Sequence, residues 1–175
     1  MRPTPQLLDQ PLPVESMTLL HEPILETREI RWPNEAACAA FAGHMAKHAA
    51  LRDARIELSG ELGAGKTTFV RHLLRALGVQ GRIKSPTYTV LESYLLPDLQ
   101  IHHFDFYRFA DPREWEDAGF RDVFAEPGLK LAEWPERAAP WLAQPDLSLA
   151  LRIVDDDARI VTLNACTPRG QALMR

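Results

Sequence analysis

The sequence predicts an α/β fold with a central, mostly parallel sheet and additional antiparallel hairpins, and three observations lead to that prediction. A short alternating strand at residues 55–59 is followed by a glycine-rich turn and a helix, as in a parallel βα unit. Two pairs of short apolar segments, around residues 90–104 and 147–164, are each joined by turn residues and predict hairpins. A length of 175 residues suits one domain with a sizeable core.

The composition narrows the class of protein. A net charge of −4 argues against a protein that coats nucleic acid, whose surface would be basic. Cys38 and Cys166 lie far apart without a C-x-x-C context, so we expect small buried apolar residues in a reducing compartment rather than metal ligands or a disulfide. No apolar run has the length of a membrane span, and prolines and acids interrupt the N-terminus where a signal peptide would be apolar. We therefore expect a cytoplasmic protein that does not contact the membrane.

The start of the chain differs in character from the rest. Residues 1–27 have no sustained hydrophobic period and are predicted to form a flexible extension, with the folded domain at residues 28–175. Glu29–Trp32 predicts an edge strand, and Asn34 is the expected N-cap of a helix that runs towards Ala49. A continuous helix in the extension is excluded by five prolines: Pro3, Pro5, Pro11, Pro13 and Pro23.

The most specific motif follows the strand at residues 55–59. In G-x-x-x-x-G-K-[ST] loops, glycines let backbone N–H groups converge on a phosphate, and the following helix N-terminus adds positive potential. Lys66 is then expected to bridge the terminal phosphates, and the Thr67 hydroxyl to take one Mg²⁺ position. A plain glycine-rich turn is the alternative, but a chance match in a chain of this size is rare. The motif predicts a nucleoside triphosphate site at Gly60, Glu61, Leu62, Gly63, Ala64, Gly65, Lys66, Thr67 and Thr68.

A polar loop after the P-loop helix is the second informative stretch. Lys84, Ser85, Pro86 and Thr87 combine hydroxyls, a cation and a proline that holds the preceding residue extended. These residue types are typical of an ordinary connection, and they also fit a switch loop that senses the γ-phosphate. Both interpretations remain open from composition alone.

Two acidic residues end predicted strands. Asp105 closes an apolar strand, and Glu133 closes the strand at residues 128–133 just before Pro135. Buried carboxylates are costly unless paired, and α/β sheets bind ligands at the carboxyl ends of their strands. P-loop enzymes need an acidic residue on a neighbouring strand to hold Mg²⁺, and Glu133 is placed to supply it. Strand alternation turns His102 and His103 to opposite faces, so we expect packing or capping roles rather than a two-histidine metal site.

The remaining segments carry weaker signals. Asp111-Pro112 predicts the start of a short helix that ends at Gly119. Residues 120–124 form an apolar patch that fits either the core or a partner surface. Three aspartates at 155–157 predict an exposed turn rather than a metal site, because no companion ligands follow at EF-hand spacing. The tail after Pro168 gives no structural signal.

Three stretches together resemble the TsaE family, the small P-loop ATPases of bacterial tRNA threonylcarbamoyladenosine biosynthesis. They are residues 60–68, 84–89 and 103–108, and the match continues through residues 111–124 and 133–136. The combination is far more specific than the phosphate loop alone. The chain departs from the family pattern at Phe106, where leucine is usual, and in its longer proline-rich start.

The resemblance implies a three-layer P-loop NTPase sandwich that binds ATP and Mg²⁺. It also implies ATP hydrolysis that serves the TsaB–TsaD complex, which transfers a threonylcarbamoyl group to adenosine 37 of tRNAs reading codons that start with A. The tRNA would be contacted through that complex. The implied roles are phosphate binding for Lys66, Mg²⁺ binding for Thr67 and Glu133, hydrolysis for Asp105, nucleotide contact for Trp134, Arg159 and Asn34, and loop movement for Ser85, Pro86 and Thr87.

Other functions on the same fold remain as alternatives. A small-molecule kinase would need an arginine-bearing lid, and no arginine-rich insertion follows Glu133. A nucleotide-gated binding module would hydrolyse little, with Asp105 in a structural role. A GTPase is disfavoured because the chain has no [NT]-K-x-D motif. No arginine finger is evident either, so we expect slow hydrolysis alone and faster hydrolysis with partners. Asp105 could orient or deprotonate the attacking water, or belong to the metal shell.

Overall fold

A seven-stranded mixed sheet organises the fold in a computed structural model that describes residues 23–109, 113, 115, 118–139 and 141–175. The strands are β1 Glu26–Trp32, β2 Arg55–Ser59, β3 Leu91–Leu96, β4 Leu99–Asp105, β5 Leu129–Glu133, β6 Leu147–Ile153 and β7 Arg159–Ala165. The helices with described bounds are α1 Glu35–Met45, α2 Lys66–Ala76, α3 Phe120–Ala125 and α4 Pro168–Leu173, and 3-10 turns lie at Ala49–Asp53 and Pro135–Arg137.

The strand order is β1-β7-β6-β2-β5-β4-β3. The four central strands β6, β2, β5 and β4 run parallel, whereas β1 with β7, β6 with β7 and β3 with β4 pair antiparallel. The predicted α/β fold, with its parallel centre and two hairpins, is therefore confirmed. Parallel strands bring their carboxyl ends to one edge of the sheet, which is where the P-loop and both strand-end carboxylates lie.

Two apolar cores cover the two faces of the sheet. The main core lies between the sheet and helices α1 and α2, where Trp32, Phe41 and Phe69 place their ring centroids 5.5–6.1 Å apart. The second core lies beside β4 and β5 and contains Phe104 and Phe120. The apolar patch at residues 120–124 is thus helical, and its first residue is buried in the core.

Several boundaries differ from the sequence-based expectations. β1 begins at Glu26, so the last two residues of the expected extension belong to the sheet. Asn34 caps α1 as predicted, accepting a 3.0 Å hydrogen bond from the Ala37 N–H, but the helix ends at Met45, short of Ala49. Helix α4 was not expected at all. The predicted N-cap at Asp111-Pro112 lies outside the described residues.

One further expectation is confirmed. Residues 155–157 form an exposed turn, in which the Asp155 carboxylate accepts backbone N–H bonds from Asp157 and Ala158. Of the two free thiols, Cys38 is buried as expected, and burial raises its pKa to about 12. Cys166 is only partly buried, so the expectation of a buried residue was wrong there, because the residue follows the end of β7. None of the described helices combines the length and apolarity needed to cross a bilayer.

Candidate functional site

The P-loop has a backbone conformation that requires glycine. Gly60, Gly63 and Gly65 have φ angles of 135°, 81° and 103°, which side-chain-bearing residues rarely adopt. At Gly60 a Cβ atom would also lie 2.4 Å from the Leu151 carbonyl oxygen of β6. The loop therefore packs directly against the sheet and delivers Lys66 and the helix that follows it to the sheet edge.

Lys66 is folded back over its own loop. Its Nζ donates to the carbonyl oxygens of Gly60 at 2.6 Å and Glu61 at 2.9 Å, and lies 3.9 Å from the ring centroid of Trp134. Only 4% of the lysine is exposed. Burial lowers the pKa of Lys66, while nearby carboxylates, with Glu133 the strongest, act in the opposite direction. The ammonium group is thus placed in the site without a carboxylate in direct contact within the described residues.

Thr67 and Glu133 meet across the gap between α2 and β5. The Thr67 hydroxyl donates a 2.8 Å hydrogen bond to Glu133 Oε2. The other carboxylate oxygen contacts His103 Nε2 at 2.8 Å, and both of these residues are buried. His103 Nδ1 has no hydrogen-bond partner among the described residues, so we assign the ring proton to Nε2, from where it donates to Glu133. The three side chains form one chain of hydrogen bonds.

Asp105 lies next to Glu133 because the two residues are register partners on parallel strands β4 and β5. Its Oδ2 accepts hydrogen bonds from the hydroxyls of Thr87, at 2.7 Å, and Ser85. Its Oδ1 accepts the backbone N–H of Tyr107 at 3.0 Å. The strand-end carboxylate is therefore satisfied by the polar loop that the sequence identified as a possible switch.

The polar loop is held at its end by a strained residue. Val90 has a φ of 64°, which is uncommon for a β-branched residue. Its N–H donates to the Pro86 carbonyl at 2.6 Å, and its carbonyl accepts the Asp105 N–H at 2.9 Å. Lys84 is exposed and does not line the site, whereas Pro86 is buried. Of the four loop residues predicted, Ser85 and Thr87 are the ones whose side chains contact the site.

Two cavities meet at the P-loop. A cavity of about 280 Å³ is bordered by the P-loop lysine and threonines together with Ser85, Thr87, Asp105, Glu133 and Trp134. A second one of about 160 Å³ is bordered by Trp32, Asn34, Cys38 and Arg159, and the two share Gly63, Gly65 and Thr68. The structure thus brings the predicted phosphate and metal residues together on one side and the predicted nucleotide-contacting pair on the other.

Arg159 braces the loop from the second cavity. Its Nε donates to the Ala64 carbonyl at 3.1 Å, and its Nη2 lies 3.4 Å from the Gly63 carbonyl. Trp134 lies in the first cavity instead, with its ring 5.0 Å from that of Tyr107. Trp134 directly follows Glu133 in the chain and has a φ of 58°. In this conformation its ring lies beside Lys66.

The residues present fit a P-loop magnesium ion. A hydroxyl and a carboxylate, 2.8 Å apart at the end of the phosphate loop, provide the hard oxygen ligands that Mg²⁺ prefers. Among the described residues, no group of three His, Cys, Asp or Glu side chains forms an all-protein metal site. Mg²⁺ in P-loop sites keeps few protein ligands and is completed by phosphates and water.

Sequence reasoning did not predict the contact between His103 and Glu133. His103 is fully buried, as the expected packing role requires, and its ring also bonds the proposed metal-binding carboxylate. The available signal was strand alternation, which places His103 on the same face as Asp105. The identity of its partner depended on the register between β4 and β5, which the sequence does not reveal.

The sheet order, with a glycine loop at the carboxyl end of β2 and an acidic residue on the next parallel strand, defines an α/β protein of the P-loop class. Comparison with known proteins makes the assignment specific. The model of the family described as threonylcarbamoyl adenosine biosynthesis protein TsaE matches residues 32–161. The chain belongs to the TsaE family, and the resemblance noted in the sequence is confirmed.

Individual relatives agree with this assignment. The chain is 43% identical over 119 residues to the tRNA threonylcarbamoyladenosine biosynthesis protein TsaE of Haemophilus influenzae, covering 68% of this chain and 75% of that protein. It is 36% identical over 118 residues to the protein of that name from Bacillus subtilis, covering 67% and 73%. The crystal structure of Bacillus subtilis YdiB superposes with a TM-score of 0.66 and 28% identity, over 85% of this chain and 92% of that one. Family membership assigns the chain to threonylcarbamoyladenosine biosynthesis in tRNA.

Proposed function

We propose that the chain is a Mg²⁺-dependent ATPase that acts on the TsaB–TsaD complex during threonylcarbamoyladenosine modification of adenosine 37, in tRNAs reading codons that start with A. One observation carries the proposal: the functional groups of Lys66, Thr67, Asp105 and Glu133 border one cavity of about 280 Å³ at the P-loop. These are the groups that phosphoryl transfer to water requires, namely a phosphate-binding cation, two metal ligands and a second carboxylate.

Each residue has a proposed role that follows from its contacts. Lys66 would exchange its two loop carbonyls for phosphate oxygens, which are stronger acceptors for an ammonium group. Thr67 and Glu133 would hold the metal, with His103 fixing the orientation of the carboxylate. When bound, Mg²⁺ supplies charge neutralisation at the phosphates.

The proposed role of Asp105 depends on movement of the polar loop that contacts it. One of its oxygens is occupied by the hydroxyls of Ser85 and Thr87. We propose that movement of this loop frees Oδ2 to orient the attacking water or to accept its proton. The strained Val90 at the end of the loop supports such a rearrangement, because strained backbone is found at switch regions.

The second cavity supports nucleotide binding beyond the phosphates. It joins the phosphate cavity at Gly63 and Gly65, and its wall contains an aromatic ring, an amide and a guanidinium from Trp32, Asn34 and Arg159. A mainly aromatic and polar wall of this kind suits a base and a ribose. We propose that ATP spans the two cavities.

The proposed dependence on a protein partner is supported by the surface around the site. Leu62 of the P-loop is 70% exposed, and Tyr88, next to the switch residues, is 82% exposed. We propose that these two exposed side chains contact the partner complex. The net charge of −4 supports contact with tRNA through the complex rather than by this chain directly. We propose that the protein acts in the cytoplasm.

The test is phosphate release from ATP by the purified chain, with and without the TsaB–TsaD complex and Mg²⁺. Slow Mg²⁺-dependent turnover that rises with the complex is expected, because no arginine finger is evident in the chain. Lys66→Ala should abolish turnover under both conditions. Rapid turnover that ignores the complex, with phosphate passed to an added small molecule, would support the kinase alternative instead.

A further inference from the structure

A third cavity, of about 300 Å³, lies at the opposite end of the sheet from the P-loop. Arg55 is the first residue of β2, whose other end leads into the P-loop, and Asp146 immediately precedes β6. This cavity is therefore separated from the proposed ATP site by the length of the central strands. Six charged residues border it: Asp53, Arg55, Glu126, Lys130, Asp146 and Arg169.

Three basic side chains lie side by side on neighbouring strands at this end of the sheet, and two of them, Arg55 and Lys130, border the cavity. Arg55, Lys130 and His102 are register partners on β2, β5 and β4, so their side chains share one face of the sheet. Lys130 and His102 are each only 3% exposed. His102 Nδ1 pairs with the Ser93 hydroxyl. Its Nε2 has no hydrogen-bond partner in the part of the chain that the structure describes, and the Glu126 carboxylate lies 3.8 Å away. We call Arg55, Lys130 and His102 the basic row.

The central member of the basic row has no counter-ion in the described residues. Lys130 Nζ donates to the backbone carbonyls of Glu126 and Gly128, and no carboxylate lies within 4.0 Å of it. Its neighbour Arg55 has one long side-chain hydrogen bond, 3.5 Å to the Phe124 carbonyl. Buried cations are normally paired, and like charges side by side on neighbouring strands destabilise a sheet. Burial above all, and Arg55 in addition, lowers the pKa of Lys130, although nearby carboxylates oppose this.

Two of the three carboxylates at the cavity already have other partners. Asp53 accepts the backbone N–H of Gly128 at 3.0 Å and a guanidinium N–H of Arg169 at 3.3 Å. Asp146 accepts the backbone N–H of Arg55 at 2.8 Å. The third carboxylate, on Glu126, belongs to a side chain that is half exposed to solvent. Among the described residues, neither the Arg55 guanidinium nor the Lys130 ammonium has a carboxylate within 4.0 Å, so these two cations are left without a counter-ion.

We propose that this cavity is an oxyanion-binding site that takes a phosphate or carboxylate group between Arg55 and Lys130. An oxyanion bound between Arg55 and Lys130 neutralises two adjacent positive charges. It also accepts hydrogen bonds from the N–H donors that the protein leaves unused. The planar guanidinium of arginine matches both groups with two parallel hydrogen bonds, and the lysine adds a point charge. Nothing in the proposed ATPase reaction uses these residues, so the site is a second one on the opposite edge of the sheet.

The experiment uses the full chain carrying Lys66→Ala, so that the P-loop does not contribute an anion response. Inorganic phosphate and acetate are titrated separately at constant ionic strength, and backbone amide NMR shifts of Arg55 and Gly128 are followed. Saturable shifts at these amides are expected with at least one of the two anions. Adding Lys130→Met should weaken that anion about ten- to a hundredfold, as expected for a lost charged hydrogen bond. Arg152→Gln, which removes an exposed cation outside the cavity, is the matched control and should leave the affinity unchanged.

The anion that binds more tightly identifies the chemical class of the ligand. Tighter binding of phosphate indicates a phosphate-bearing ligand, and equal or tighter binding of acetate indicates a carboxylate. If Lys130→Met does not fold, Arg55→Gln provides the second variant, with the same expected loss. Linear, non-saturating shifts with both anions, or a response that survives both substitutions, would overturn the proposal. Because the P-loop is disabled in every sample, neither outcome depends on whether the chain hydrolyses ATP.

Discussion

At the scale of single residues, the contact between His103 and Glu133 determines how the proposed metal ligand is held. A carboxylate at the end of a strand has rotational freedom, and the 2.8 Å hydrogen bond from the imidazole removes much of it. Both partners are buried, so water does not compete for the bond. Such indirect contacts commonly change metal affinity by ten- to a hundredfold when they are removed.

The first prediction follows from that contact. His103→Phe should raise the Mg²⁺ concentration needed for half-maximal ATP hydrolysis about tenfold, because Glu133 loses its orienting donor. His103→Gln places an amide N–H in the same region and should recover most of the loss. His72→Gln, which alters a histidine paired with Glu35 away from the metal ligands, is the control. An unchanged Mg²⁺ dependence in a folded His103→Phe protein would show that the contact is only structural.

A second prediction concerns Glu57 of β2, which lies on the face of the sheet opposite to Glu133. Burial, with a smaller effect of Glu136, raises its pKa to about 7, above the ~4.3 of a free glutamate. The folded state therefore binds an extra proton between these values, and the free energy of unfolding falls as the pH rises from about 4.3 to 7. Glu57→Gln should then stabilise the protein by about 1–3 kcal/mol at pH 8 and change little at pH 4.

Chemical denaturation at the two pH values measures this difference directly. Glu29→Gln, on the exposed part of edge strand β1, controls for the loss of a charge alone. Equal effects of Glu57→Gln at pH 4 and pH 8 would contradict the raised pKa.

At the scale of elements, secondary structure was predicted most accurately where local sequence patterns and tertiary contacts favour the same element. β2 and the helix start at Lys66 follow directly from alternation, glycine and helical periodicity. Helix α4 was missed because only six residues form it and its stability comes from packing. Its N-cap Thr167 bonds both the Gly170 N–H and the Asp146 carboxylate, contacts that a linear pattern does not contain.

The docking of α4 yields a third prediction, in which two glycine substitutions should have opposite signs. A Cβ at Gly170 would lie 1.8 Å from the Asp146 carbonyl oxygen, so Gly170→Ala should destabilise the protein by about 2–4 kcal/mol. Gly43, inside α1, has no atom within 4 Å of its added Cβ. Gly43→Ala should therefore stabilise by about 0.5–1 kcal/mol through helix propensity. Thermal unfolding of both variants checks the pair, and stabilisation by Gly170→Ala would show that α4 does not pack as described.

At the scale of the whole molecule, one parallel sheet separates two polar regions. Its carboxyl edge collects the P-loop, Asp105 and Glu133, as ligand sites do in α/β folds. Those residues could be predicted because a loop motif and strand-end carboxylates are visible in sequence. The basic row at the amino edge could not, because Arg55, His102 and Lys130 come from three separated segments that only the strand order brings together.

We propose that this carboxyl-edge site hydrolyses ATP with Asp105 acting on the attacking water. The most direct measurement is single-turnover ATP hydrolysis, together with ATP affinity, for the unmodified chain and Asp105→Asn in the presence of Mg²⁺ and the TsaB–TsaD complex. Asp98→Asn, in the exposed turn between β3 and β4, is the control. The account predicts that Asp105→Asn lowers the hydrolysis rate about a hundredfold or more while ATP affinity changes little, since the contribution is made in the transition state. An undiminished rate in Asp105→Asn would contradict it.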